Sequence, residues 1–435
     1  MKRLLWCLAW LFPLLVGAAD GRVRSASLPW WKGNLHTHTL WSDGDAYPEM
    51  VVDWYREHGY HFLAISDHNI LLNGDKWIGL KTNAASGLGF TNYLQRFGSG
   101  VDFKRVEGKV KVRLKTFAEL SQLFAQPGRF LLLPSEEISD EYKKLPIHLN
   151  ATNLREFIKP QHGTNVLDVI QRNVDAVLAQ RDRTGQWMFP HLNHPNFGWA
   201  VTAEDIAPLQ GDRFFEVYNG HPMVHNRGDA THASMERVWD IILTERLAKL
   251  GLDPLFGLAV DDAHNYQEQG IKQSNPGRGW LMVQAAALTP AELVQAMERG
   301  DFYASTGVQL RTIVRDAKGI RLEILGERDV EYTTQFIGTR RGYDSSSRPV
   351  VDKKGKEIRS TRIYSDQIGQ VFEEDRGMTP WYRFRGDEVY VRAKITSNKP
   401  KLNPYAKGEM ETAWIQPVVV KGETQGQPLQ TLRQR

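Results

Sequence analysis

Cysteine is almost missing from this chain: one residue in 435, Cys7. It sits near the start of an apolar run, whereas a lipid-attachment cysteine would follow such a run. With so little thiol, stability must come from packing, and any metal must be held by nitrogen and oxygen ligands. The apolar run itself, Leu4 to Val16, is 13 residues long, short of the roughly 20 that a spanning helix needs. The basic Met1-Lys2-Arg3 precedes it, and Gly17-Ala18-Ala19 and the polar Asp20-Gly21-Arg22 follow. That is the layout of a secretory signal peptide covering residues 1–19. The expectation is a periplasmic or secreted protein with no membrane span after cleavage.

Neither sign of charge is in excess. The formal charge is +4, or +2 without Lys2 and Arg3, so no nucleic-acid partner is expected. One stretch, Thr339 to Arg362, holds eight basic residues against Asp344, Asp352 and Glu357; it reads as a solvated hairpin or loop rather than an anion-binding patch. Apolar residues at 41% and charged residues at 24% describe an ordinary globular protein, and the length suggests two domains.

From residue 33 to about 300, apolar runs alternate with amphipathic stretches. Strands are expected at Gly33–Thr37, His61–Ser66, Phe130–Pro134, Ile147–Ala151, Met188–Asn193, Phe214–Asn219 and Leu255–Val260. Helices are expected at Pro48–His58, Thr116–Ala125, Asn165–Arg181, Ser234–Leu250 and Pro290–Arg299. Strand alternating with helix predicts a parallel sheet, and seven strands suggest barrel-like closure. Asn73 to Gly108, rich in Gly and Asn, reads as a long loop after the second strand, a candidate lid. Beyond Gly307 the helical period gives way to β-favouring runs at Leu310–Val314, Ile320–Ile324, Thr333–Ile337, Glu388–Ile395 and Thr412–Val420. The expected domains are therefore an α/β barrel over 28–307, an all-β sandwich over 308–421 and a loose tail over 422–435.

The chemistry lies in where histidines and acids fall. His36-Thr37-His38 ends the first expected strand, and residues two apart in an extended chain share a face, so both imidazoles can meet one ion. Asp43 follows in Ser42-Asp43-Gly44. The second strand ends in Ser66-Asp67-His68-Asn69, the third in Glu136-Glu137-Ile138-Ser139, and the fourth begins near His148. The fifth ends at His194-Pro195 and the seventh in Asp261-Asp262-Ala263-His264. Six strands placing such residues at or near the ends where α/β sheets build their sites point to a metal centre.

In this order, His-x-His with Ser-Asp-Gly, then Ser-Asp-His-Asn, Glu-Ile-Ser, His-Pro and Asp-Ala-His resemble the PHP (polymerase and histidinol phosphatase) superfamily of metallohydrolases over about residues 30 to 307. Pro276-Gly277-Arg278-Gly279-Trp280 and Phe302 to Gly307 resemble its carbaryl-hydrolase-like branch. The resemblance implies a distorted seven-stranded β/α barrel with two or three divalent metal ions. It implies that His36 and His38 bind one metal with Asp262 and a bridging Glu137. Glu137 would also serve a second metal with His148 and His194, and Asp43, His68 and His264 would hold a third. Glu136 rivals Glu137 for the bridge and His191 rivals His194, while Asp261 is expected to support rather than ligate.

Such ligands suit Zn, Mn or Fe. The ions would lower the pKa of a bridging water and stabilise charge on substrate oxygens. His191 and His221 are candidates to protonate a leaving group. Arg278 is a candidate for a substrate oxyanion, though a surface-loop arginine is the favoured interpretation. The resemblance implies cleavage of a small-molecule phosphodiester or phosphomonoester, with a carbamate or aryl ester as the alternative. A non-catalytic surface-binding protein with structural metals is the alternative of another class; nine candidate ligands exceed what bracing a fold requires.

Overall fold

The computed structural model describes residues 28–80 and 84–420. The expected signal segment and the tail at 422–435 lie outside the described residues. No helix among the described residues is long and apolar enough to cross a membrane.

All seven expected strands of the first part form: β1 (Trp30–Asn34), β2 (Phe62–Ile65), β3 (Leu131–Tyr142), β4 (Leu145–Thr152), β5 (Phe189–Leu192), β6 (Phe214–Asn219) and β7 (Phe256–Val260). Next come β8 (Trp280–Gln284) and β9 (Phe302–Ser305). The helices follow their capping signals. Pro48–Glu57 (α1) starts on its proline, and Phe117–Phe124 (α2) is held by a capping box between Thr116 and Glu119. Val166–Thr184 (α3) is capped by Asn165, Met235–Thr244 (α4) by Ser234, and Pro290–Glu298 (α5) by Thr289.

The sheet is mixed, not parallel as expected. β1, β2 and β3 run parallel, as do β5, β6 and β7, but β4 is antiparallel to both β3 and β5. The cause is local. Only Lys143-Lys144 separates β3 from β4, and both adopt positive φ (49° and 69°), the requirement of a tight two-residue hairpin. β1 gives its other edge to β8 rather than β7. The run from β1 to β7 nevertheless curls until its ends meet: Thr37 and Ala263 form a parallel bridge, with His38 N–H on Ala263 O and Asp262 N–H on His36 O, both at 3.0 Å.

The segment expected to be a loop between 73 and 108 is folded. It carries a three-stranded antiparallel sheet (Trp77–Gly79, Phe103–Val106, Lys109–Arg113) and a helix, Ala84–Phe97. Tyr93 of this segment packs inward: it is fully buried, stacks on Tyr47 at 4.1 Å and donates its hydroxyl hydrogen to Glu49.

The C-terminal strands are β10 (Leu310–Asp316), β11 (Gly319–Ile324), β12 (Tyr332–Arg340), β13 (Gln370–Asp375), β14 (Trp381–Arg383), β15 (Glu388–Pro400) and β16 (Met410–Val419). They make two layers around one apolar core that includes Leu310, Ile320, Phe336, Tyr382, Val391 and Ile415. One layer, β10-β11-β14, stands alone; the other, β16-β15-β12-β13, continues the first sheet through β9. Gln416 on β16 also closes the edge of β7, exchanging two 2.9 Å hydrogen bonds with the backbone of Gly257. The basic stretch is not merely solvated: Arg359 reaches Ala200 O and Asp205, and the Arg362 N–H donates to Glu204, so the segment straps the two parts together.

Candidate metal centre

Where β1 ends, Asn34 turns the chain toward the mouth: its Oδ1 accepts the His36 N–H at 2.9 Å and its Nδ2 donates to Gly279 O. The bridge at Thr37 keeps the next residues extended, so His36 and His38 face the same way, ring centres 5.1 Å apart. The turn bearing Asp43 hangs from Asp67, which accepts hydrogen bonds from Thr39 N–H and Oγ1–H and from Ser42 N–H and Oγ–H. Gly44 is required there, because a Cβ would lie 2.8 Å from the His38 carbonyl. On the β3–β4 hairpin, alternation puts Glu137, Ser139, His148 and Asn150 on one face. Glu136 faces the other way and accepts Ile158 N–H, which removes it as the bridge. After β7, Asp262 takes φ 50°, an uncommon conformation for a non-glycine residue, and so turns its carboxylate toward His36 and His38.

Three groups of ligand atoms result. His36 Nε2 and His38 Nε2 lie 3.4 and 3.3 Å from Glu137 Oε2, and 3.3 and 3.2 Å from Asp262 Oδ1. Glu137 Oε1 meets His148 Nδ1 at 3.0 Å and His194 Nε2 at 3.3 Å. Asp43 meets His264 Nε2 at 3.3 Å, His68 Nε2 at 3.5 Å and His38 Nδ1 at 3.7 Å.

These atoms fit divalent cations. Ligands about 2.1 Å from one ion stand about 3.0–3.4 Å from each other, the spacing of carboxylate from histidine in the first two groups; the third is wider, at 3.3–3.7 Å. His36 Nε2, His38 Nε2 and Glu137 Oε2 are buried and make no hydrogen bond. Three orphaned polar atoms converging on one point would be costly without a partner. All charged partners of Asp43, Glu137 and Asp262 within 4 Å among the described residues are histidines; no Lys or Arg neutralises them.

The field has the same sense. Burial opposes ionisation of Glu137 and Asp262, yet the surrounding imidazoles hold both well below the usual carboxylate range. Burial opposes charge on His36 and His68 too; the acids outweigh it, raising His36 and pushing His68 to about 11. His38 falls to about 3 through burial and the neighbouring His264. Acids that stay ionised in spite of burial and draw His36 and His68 up make a site that favours added positive charge.

Every sequence-predicted ligand joins one of these groups. The other candidates fare differently. His191 is fully buried beneath the candidate ligands, with its Nε2 3.4 Å from Glu216, and cannot reach a leaving group. Arg278 is neither a surface-loop residue nor free for an oxyanion. It is fully buried and donates to Gly220 O, Gln273 O, Gly270 O and Asn403 Oδ1. His221 does stand at the mouth, its ring 5.4 Å from that of His264, with Nδ1 accepting Met223 N–H. Asp261 is a support: it accepts N–H from Gly277, Arg278 and Gly279 and the Tyr55 hydroxyl.

Sequence reasoning missed the layer beneath. Asn193 donates to Glu137 Oε1 at 2.8 Å, and Glu216 contacts His36 Nδ1 at 2.7 Å. The only signal for Glu216 was a lone acid inside an apolar strand, Phe214-Phe215-Glu216-Val217.

No family model and no curated protein matches the chain. Two solved structures are similar to it at 14% identity each. One is a two-domain protein containing a predicted PHP-like metal-dependent phosphoesterase from Bacteroides vulgatus, with 89% of this chain and 95% of that one covered and a TM-score of 0.38. The other is a candidate metal-dependent phosphoesterase from Bifidobacterium adolescentis, with 55% and 90% covered and a TM-score of 0.28. The functional assignment therefore rests on the side chains themselves.

Proposed function

We propose that this chain is an exported metal-dependent hydrolase of the PHP type, acting on phosphoesters through two or three divalent cations. The observation that carries the proposal is that His36 Nε2 and His38 Nε2, buried and without hydrogen bonds, each lie within 3.4 Å of both Asp262 Oδ1 and Glu137 Oε2, itself buried and without a hydrogen bond. His36, His38, Glu137 and Asp262 would hold one cation, Glu137, His148 and His194 a second, and Asp43, His68 and His264 a third. Cations held there supply Lewis acidity for activating water and for stabilising charge on a phosphoryl or carbonyl oxygen.

The chain's own residues set the direction of approach. The first group is closed to solvent, whereas the side chain of Asp43 is 56% exposed and that of His68 27%. Substrate thus enters on the Asp43 side, and a centre open on one side is a catalytic rather than a bracing arrangement. Burial, with help from His264 and His194, holds His221 down to about 4 against the pull of Asp262. Its neutral ring, with Nδ1 engaged by Met223 N–H, can offer Nε2–H to a leaving oxygen as a hydrogen-bond donor.

A carbamate or aryl ester is the second substrate class, favoured by one observation: the Phe197 ring lies 5.1 Å from His194 and 6.3 Å from both His148 and His221, an apolar wall at the mouth. Side-by-side turnover of a phosphodiester, a phosphomonoester, and an aryl ester and carbamate with added Mn separates the two. Phosphoester turnover abolished by Asp43→Asn is the expected result. Turnover of carbonyl substrates alone would end the phosphoesterase assignment.

A further inference from the structure

Glu216 lies in the middle of β6, a strand that carries no ligand of the centre, and is fully buried. Three of its four side-chain contacts lead to the centre. Oε1 lies 2.7 Å from His36 Nδ1 and 3.4 Å from His191 Nε2. Oε2 accepts the His194 backbone N–H at 2.8 Å and the Asn219 side-chain amide at 2.8 Å. The same Asn219 amide donates to Asp262 Oδ2 at 3.1 Å. One carboxylate thereby fixes the ring of His36, the backbone of His194 and, through Asn219, the carboxylate of Asp262.

We infer that Glu216 is a positioning residue that sets two of the three cation positions together, the one built on His36 and Asp262 and the one built on His194; this rests on the metal centre proposed above. By accepting the proton of His36 Nδ1 it leaves the Nε2 lone pair free to face Glu137 and Asp262. An acid behind a ligating imidazole also makes the ring a better donor, and loss of such a partner typically weakens a metal site about 10–100-fold. The hydrogen bonds and ion pairs of Glu216 do not extend to Asp43, His68 or His264, so the third position is independent of it.

The test is calorimetric titration of the metal-free full chain with Mn(II) alone. Glu216→Gln should weaken the binding events at the first two positions about 10–100-fold and leave the third at its wild-type affinity. Glu136→Gln removes an equally buried acid from the opposite face of β3, away from every ligand, and should leave all events unchanged. If Glu216→Gln does not fold, Glu216→Asp, which withdraws the carboxylate by one methylene, carries the same expectation. Wild-type titration by Glu216→Gln, or equal weakening at every position, would overturn the inference alone. Failure of the wild-type chain to take up Mn(II) would overturn it together with the metal centre.

Discussion

Asp240 on α4 and Arg392 on β15 form a bidentate ion pair, with Nε to Oδ1 and Nη2 to Oδ2 both at 2.7 Å, buried between the two parts of the chain. Tyr390 donates its hydroxyl hydrogen to the same carboxylate at 2.8 Å, and Trp239 lies beneath the guanidinium at 4.9 Å. A charge left unpaired in such a place is expensive. Asp240→Ala should cost about 3–5 kcal/mol of unfolding free energy, read by denaturant titration. Because one sheet runs through both parts, the unfolding should stay a single transition, not split into two.

Arg278 tests whether a buried guanidinium serves structure or substrate. Its bonds to Gly220 O, Gln273 O and Gly270 O tie together two loops at the mouth, the one after β6 and the one after β7. Arg278→Met should lower stability by about 2–4 kcal/mol through unsatisfied carbonyls. The ratio of kcat/KM for a phosphodiester to that for a neutral aryl ester should not change. A selective loss on the anionic substrate would show that Arg278 binds it.

Gly44 positions Asp43 by allowing the turn to lie against the His38 backbone, where a Cβ would be 2.8 Å from carbonyl atoms that cannot move aside. Gly44→Ala should therefore weaken uptake at the Asp43, His68 and His264 position in a Mn(II) titration and leave the two inner positions intact. This is the complement of the pattern expected on loss of Glu216.

Asp212 offers a pH test away from the ligands. Burial raises its pKa to about 7, opposed by the Phe214 N–H and by Arg246. A carboxyl whose folded value exceeds its unfolded value favours the folded state most when both states are protonated, below about pH 4. That contribution is lost as pH rises through about 4 to 7. Asp212→Asn should thus stabilise relative to wild type at pH 8 and lose that advantage at pH 4, measured as the difference in melting temperature. An advantage that does not vary with pH would rule out a buried, titrating Asp212 carboxyl as its cause.

Much of this was legible in the sequence because alternation and caps are local. The seven strands, the starts of five helices and the nine candidate ligands follow from apolar runs with His or acids at or near their ends and from residues such as Pro48, Thr116 and Asn165. What was not legible depends on partners distant in the chain. His148 reaches the site from an antiparallel strand, and only the two-residue turn at Lys143-Lys144 hinted at that reversal. Arg278 looked like a loop residue because its partners, Gly220 and Asn403, are 58 and 125 positions away. The 73–108 segment looked like a loop because its packing surface, Tyr47 and Glu49, belongs to another element.

A hydrolase of the proposed kind requires cations in the space between these side chains. Crystals of the full chain grown with Mn(II), measured at a wavelength where manganese scatters anomalously, test that requirement most directly. The prediction is at least two anomalous peaks: one bounded by His36, His38, Glu137 and Asp262, another bounded by Glu137, His148 and His194 or by Asp43, His68 and His264. Maps with no peak at the first of these points, in protein shown by absorption to contain no metal, would contradict it.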